Sequence, residues 1–219
     1  MTSFNSDEWI DCGTYYLNKN QQGSDKWRKQ RSFRLTASNF GTAVGKNIYQ
    51  TKETLANIIK GKEKPVYSEK SKIAIDHGNK TEKIARTWYE KKYKTKVKEV
   101  GVAIPKWNVR IGSSVDGLVG DDGIIEIKCP FYMYEPIIEY NKKFNEGFIF
   151  EEGYHEHIQE MYYAQMQGSL KILNRQFCDF IVFATESDEV FVQRIFYDEK
   201  YWEETLCPGI NSFIENYLS

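Results

Sequence analysis

The chain has 219 residues, with 30 Lys and Arg against 31 Asp and Glu, a formal net charge of -1 and a sequence pI near 6.4, a balance that does not mark it as a polyanion binder by bulk charge. Its hydrophobic fraction of 41% and charged fraction of 28% are ordinary for a soluble globular chain, and residues 1–219 are long enough to form a single domain with its own core. No run approaches the ~20 apolar residues that cross a bilayer, Met1–Asn5 lacks a basic and apolar leader, and Cys12, Cys129, Cys178 and Cys207 show no C-x-x-C pairing, so an intracellular protein with reduced, mostly buried thiols and no membrane partner is expected.

In chain order, Trp27, Arg31, Leu35 and Phe40 predict a helical entry over about 24–45, with a restart at Thr36-Ala37-Ser38. Lys26, Arg28, Lys29, Arg31 and Arg34 make this block densely basic, and Lys60, Lys62, Lys64, Lys70 and Lys72 form a second cluster. A short helix over 51–61 puts Leu55, Ile58 and Ile59 on one face, and Lys62–Ser71, with Pro65, reads as a polar connection. An amphipathic helix over 79–94 places Glu82 in an early turn and an aromatic stripe on the core. Strands follow at 97–105, 109–114 and 124–129, joined at Lys106-Trp107-Asn108 and at Gly120–Gly123, where Asp121 and Asp122 suit a turn. Helices over 132–146 and 153–173, a strand pair at 179–184 and 190–196, and a last helix over 200–218 complete the order. No repeat or linker divides the chain. Local patterning alone gives α/β or α+β, a mixed central sheet flanked by helices.

The chemistry concentrates in Ser113-Ser114-Val115-Asp116-Gly117-Leu118 and Gly123-Ile124-Ile125-Glu126-Ile127-Lys128-Cys129-Pro130. Asp116 is expected at a strand end, whereas Glu126 and Lys128 alternate with Ile125 and Ile127, so the charged pair takes one face of the strand and the isoleucines the other. Charges on a half-buried strand are costly unless paired or metal-bound. Two hard carboxylate ligands without a neighbouring His or Cys site favour Mg2+ or Mn2+ over zinc, and the lysine can orient or deprotonate a water or meet charge on a phosphate. Cross-strand ion pairs on a solvated sheet are the plain alternative. His155-Glu156-His157 lacks a third ligand at helical spacing, and Cys129 reads as packing.

Four blocks in order carry a resemblance: Trp27-Arg28-Lys29-Gln30-Arg31 with Leu35-Thr36-Ala37-Ser38, Gly78-Asn79-Lys80-Thr81-Glu82, the Asp116 to Lys128 segment, and Tyr163-Ala164-Gln165-Met166-Gln167. Together they resemble the lambda-exonuclease-like, YqaJ-like viral recombinase branch of the PD-(D/E)XK nucleases. The resemblance implies a restriction-endonuclease-like core forming one nuclease domain over 1–219. It implies that Asp116, Glu126 and the backbone carbonyl of Ile127 bind the catalytic metal and that Lys128 positions the attacking water. Glu82 is then expected to hold a second metal or its water shell, and Gln165 to contact the water or the scissile phosphate. Arg31, Ser38 and Ser114 match the pocket for a DNA 5′-phosphate. The proline of the family motif is Val115 here, and Phe131-Tyr132-Met133-Tyr134 stands where the pocket's second arginine is expected. A tyrosine donates one hydrogen bond but brings no charge and no bidentate fork.

The activity so implied is a Mg2+-dependent exonuclease, with Mn2+ substituting, that digests one strand of a duplex from its 5′ end in viral or phage recombination, replication or repair. The partners implied are duplex DNA ends, a single-strand annealing protein and two further copies in a toroidal trimer. Alternatives are an endonuclease of the same fold, for which closed circular DNA is the discriminating substrate, a DNA-binding relative without turnover, and a metal-free scaffold in which the charges are cross-strand pairs.

Overall fold

The central sheet owes its layering to the alternation in β8 (Gly123–Lys128), whose odd-numbered isoleucines and even-numbered residues face opposite sides. A computed structural model of the chain describes residues 4–131, 159–186 and 189–219. Ahead of the central sheet come β1 (Trp9–Asp11), β2 (Tyr15–Asn18), α1 (Asp25–Ser32), β3 (Leu35–Thr36), α2 (Phe40–Ala43), α3 (Lys52–Ile59) and α4 (Glu69–Tyr93). Then follow β4 (Val97–Lys98), β5 (Ala103–Pro105), β6 (Ile111–Gly112) and β7 (Gly117–Val119), with β8 after them. Beyond it are α5 (Glu160–Leu173), β9 (Phe177–Ala184), β10 (Glu189–Phe196), α6 (Glu199–Tyr201) and α7 (Cys207–Tyr217), the last two joined through a π-helical turn at Trp202–Leu206.

Five strands make the main sheet in the order β10-β9-β8-β7-β4. The β8 and β9 strands run parallel with Glu126 opposite Phe180, and the other three pairings are antiparallel. On one face Ile125, Ile127, Ile181, Val192 and Val119 pack against Ala85 and Tyr89 of α4. On the other, Ile124, Phe180 and Val182 join the larger core that includes Ala164, Met166 and Leu170 of α5. This is the mixed sheet flanked by helices that the pattern predicts. Smaller sheets, β1-β2-β5 and the parallel pair β3-β6, carry the N-terminal segments to the edge of this layer.

Several boundaries differ from expectation. The predicted 24–45 helix divides into α1, β3, a 3-10 turn at Ala37–Asn39 and α2, because Leu35 and Thr36 pair with Ile111 and Gly112. The α4 helix begins ten residues before Asn79, capped by Ser68, whose side chain accepts from the Ser71 N–H. Residues 69–76 are exposed on every side, so no apolar stripe announces that helix start. Strand β7, β1 and β2 escape the alternation rule because they are short, and β7 is buried throughout. The predicted 132–146 helix and residues 153–158 of the next lie outside the described residues, as do Tyr134, His155 and His157. All four cysteines are free, but only Cys178 is buried, which corrects the expectation of mostly buried thiols. No helix among the described residues is long and apolar enough to cross a membrane.

Candidate active site

Strand β7 pairs with β8 only as far as Gly117 opposite Ile125, so the next outward-facing amide of β8, that of Ile127, has no strand partner on that side. Asp116 takes it: the Ile127 N–H donates to Asp116 Oδ2 at 2.6 Å. The N–H and C=O of one strand residue point the same way, so the Ile127 carbonyl is left on the side of the Asp116 carboxylate. Asp116 therefore stands at a strand end, as expected, at the entry into β7, with Ser113-Ser114-Val115 carrying the chain there from β6.

Glu126 is 4% exposed and its Oε1 accepts two hydrogen bonds, from Lys128 Nζ at 2.7 Å and from Gln165 Nε2 at 2.6 Å. The Lys128 ammonium also lies 4.9 Å from the Tyr162 ring centroid. Burial by itself would lower the Lys128 pKa, but Glu126, Tyr162 and Asp116 outweigh it and hold the group above its ordinary value. Lys128 is thus an ammonium that donates, which favours the orienting role over the deprotonating one. Burial, then Glu126 and Glu82, raise the Asp116 carboxyl well above the usual range, against the pull of Lys128 and the Ile127 N–H. Glu82 is likewise raised, first by burial, although Arg86 on the next turn pulls it down.

Asp116, Glu126, Lys128 and Glu82 line one cleft of about 480 Å3, with Ile127, Cys129, Pro130 and Tyr162 completing the wall nearest β8. The α4 side is made by Ala74, Ile75, Gly78 and Asn79, the last two from the G-x-x-x-E block that the sequence singles out. Among the described residues no three His, Cys, Asp or Glu side chains converge into a ready-made metal nest. Two carboxylates and a backbone carbonyl nonetheless suit a hard divalent cation. The mutual repulsion of Asp116, Glu126 and Glu82, which raises Asp116, is what such a cation would relieve. Burial, followed by the Glu82 and Asp116 charges, pushes the Cys129 thiol up to about 12, so it is neutral and no nucleophile, in keeping with a packing role.

The second group of predicted residues assembles beside this cleft. Trp27 donates from Nε1 to Ser114 Oγ at 3.0 Å, and its ring carries the Arg31 guanidinium 4.5 Å from the centroid. Arg31 Nη2 donates to Ser38 Oγ at 3.2 Å, and Ser38 is 3.0 Å from Thr36 Oγ1. Burial draws the Arg31 guanidinium below its ordinary value, while Glu126 and Asp116 act in the opposite direction, which places Arg31 within the electrostatic reach of both carboxylates. Arg31, Ser38 and Ser114 therefore form one connected set that borders on Asp116 through Val115.

Of the rest of the basic cluster, Lys29 is exposed and the other three are engaged elsewhere. Lys26 pairs with Glu8, Arg28 with Asp25, and Arg34 is buried, donating to the carbonyls of Val109 and Gln30. Of Tyr163-x-Gln165-x-Gln167, only Gln165 reaches the site. Tyr163 donates to Asp198 Oδ2, and Gln167 accepts from the Asp198 N–H and donates to the Phe196 carbonyl, fastening α5 to the end of β10. Arg86 and Tyr162 were not singled out by sequence: an i,i+4 Glu-Arg pair and a tyrosine doublet are common, and only folding shows that Tyr162 lines the cleft and that Arg86 pairs with a carboxylate lining it.

The mixed α/β core and the acidic residues around the β8 lysine define a protein of the PD-(D/E)XK class. Over residues 26–176 the sequence matches the YqaJ-like viral recombinase domain, and the chain belongs to that family. Two crystal structures of the alkaline exonuclease LHK-Exo from Laribacter hongkongensis, one of them in complex with dAMP, superpose on 89% of this chain and 93% of theirs. Their TM-scores are 0.69 and 0.70, each at 24% identity. A phage related exonuclease from Haemophilus somnus 129PT matches with a TM-score of 0.55 at 14% identity, over 86% of this chain and 93% of that one. No curated protein matches the sequence.

Proposed function

We propose that the protein is a divalent-metal-dependent deoxyribonuclease that removes nucleotides from one strand of duplex DNA, beginning at a 5′ end. The observation that carries this reading is the junction of two sets of residues. A cleft holding Asp116, Glu126 and Lys128 lies two residues along the chain from Ser114, which Trp27 links to Arg31 and Ser38, the pairing that an enzyme needs to hold a terminal phosphate beside the bond it cuts. The structural likeness to exonucleases supports it as well.

Asp116, Glu126 and the Ile127 carbonyl would hold Mg2+, or Mn2+ in its place, with Glu82 at a second cation or its water shell. Bound there, a divalent cation acidifies its water and offsets charge on the phosphate. The chain's own residues do the rest. Lys128 donates from its ammonium to the attacking water or a phosphate oxygen, held in place by Glu126. Gln165, fixed on α5 and bonded to the same carboxylate oxygen, limits how Glu126 can turn and offers its amide to the water or phosphate. Arg31 supplies the charge, and Ser38 and Ser114 the neutral hydrogen bonds, that grip the end. Viral or phage recombination, a single-strand annealing partner and a trimer threading DNA belong to the same reading through the family.

The test is a time course with Mg2+ on linear duplex bearing a 5′-phosphate, the same duplex with a 5′-hydroxyl, and closed circular DNA, beside Glu126→Gln. Progressive loss of the linear substrates with the circle intact, and at least ~100-fold slower loss in the variant, is expected. Linearised circles would turn the reading to an endonuclease. Inertness on all three substrates, or normal turnover by Glu126→Gln, would overturn it.

A further inference from the structure

Glu82 does not face the cleft alone. One turn along α4, Arg86 donates from Nη2 to Glu82 Oε1, and its Nη1 pairs with Oε1 of Glu99, which follows β4. The Arg86 side chain is 11% exposed and that of Glu99 57%, so one nearly buried guanidinium serves a carboxylate in the cleft and another at the surface. The remaining nitrogen, Nε, is buried with no hydrogen-bond partner among the described residues. A Glu82–Arg86 pair by itself would be neutral. With Glu99 the trio carries a net negative charge, and a guanidinium divided between two carboxylates neutralises each only in part.

We propose that Arg86 and Glu99 form a charge-sharing relay that sets how much negative charge Glu82 presents to the cleft, and so how tightly the cleft holds a divalent cation. The inference rests on the reading of this cleft as a cation site. Arg86 and Glu99 are positioning residues, acting through Glu82 and touching neither substrate nor reacting atoms. The relay requires effects of opposite sign at its two outer members. Neutralising Glu99 gives Arg86 wholly to Glu82 and removes a nearby carboxylate, so cation affinity falls. Neutralising Arg86 leaves the two carboxylates uncompensated, so cation affinity rises even though Glu82 loses its tether. A purely structural role for the trio would weaken binding in both cases.

The experiment is a calorimetric titration of Mn2+ into the full-length wild type, Glu99→Gln, Glu99→Asp and Arg86→Gln, each with a thermal melt to establish folding. Glu99→Gln is expected to bind Mn2+ about three- to tenfold more weakly, the size of effect of removing one unit charge on the far side of a shared guanidinium through a high effective dielectric. Glu99→Asp should restore affinity to within about twofold, and Arg86→Gln should bind more tightly than wild type. An unmoved Glu99→Gln affinity overturns the relay while leaving the cation reading intact, as does weaker binding in both Glu99→Gln and a folded Arg86→Gln. A folded wild type that takes up no Mn2+ overturns both together. Should Arg86→Gln fail to fold, the Glu99→Gln and Glu99→Asp pair decides.

Discussion

Arg31 and Arg34 stand one turn apart at the end of α1, and their surroundings give them opposite tasks. Arg34 is 1% exposed and donates to the Gln30 and Val109 carbonyls and to Gln30 Oε1, with no carboxylate among these partners, so burial drops its pKa to about 10. It still carries its proton at neutral pH, and it ties the end of α1 to the segment before β6. Arg31 instead stacks on Trp27 and bonds to Ser38, within the electrostatic reach of Glu126 and Asp116. Replacing Arg31 with Ala should therefore abolish most of the preference for a 5′-phosphate. Relative to wild type, the ratio of kcat/KM on 5′-phosphate and 5′-hydroxyl duplexes is expected to fall about tenfold, one charge-assisted contact's worth. The loss should come mainly from the phosphorylated substrate, and an unchanged ratio in a folded variant would remove Arg31 from the pocket. Both arginines read alike in sequence as members of one basic run. What separates them is the strand pairing of Leu35, which pulls its neighbour Arg34 inward and which no local pattern announces.

At the scale of elements, β8 and α5 together make the site rigid. The alternation in Gly123–Lys128 was readable because both partners of the sheet are apolar on the isoleucine face, leaving Glu126 and Lys128 no choice of side. The closeness of α5 was less readable, since it depends on two glycines. A Cβ on Gly41 would lie 2.7 Å from Met161 Cα at the start of α5, and one on Gly168 would overlap the buried Phe40 ring. Gly168 lies on the same helix as Gln165, so the approach that it permits also sets how far the amide reaches toward Glu126. Gly168→Ala puts two effects in opposition: alanine's better helix propensity is worth up to about 1 kcal/mol, whereas overpacking a closed core costs about 1–3 kcal/mol. The ring has nowhere to go, so the second effect should win, and chemical denaturation is expected to show net destabilisation of about 1–2 kcal/mol. A variant as stable as wild type or more so would mean that α2 and α5 can separate without cost. By contrast, the early start of α4 was invisible because its first two turns bury nothing, and helix periodicity is a signal only where one face packs.

For the whole molecule, a net charge of -1 and a role on DNA are compatible only if positive charge is local, and the structure divides the lysines and arginines accordingly. Lys26, Arg28, Lys46, Lys72, Lys80 and Lys106 are paired with carboxylates at the surface, where each pair contributes little to stability but cancels charge that would otherwise attract phosphate. The linear order of the four motif blocks was legible and carries the family resemblance that implies the nuclease core, whereas local patterning alone reached only α/β or α+β. The distribution of charge over the surface was not legible, because pairings such as Lys46 with Glu160 join residues far apart in sequence. This arrangement predicts a shallow salt dependence. Binding of a 5′-phosphorylated duplex end, followed by fluorescence anisotropy with Ca2+ substituted for Mg2+ to suppress turnover, should weaken with salt at a log–log slope of about -2 to -4, as for two to four phosphate contacts. Arg31 and Lys128 account for two of them, and Arg31→Ala should reduce the slope by about one. A slope steeper than about -6 would mean that DNA engages a broad basic surface, which would point to the Lys60 to Lys72 cluster, where Lys62, Lys64 and Lys70 are exposed, or to several subunits gripping one duplex.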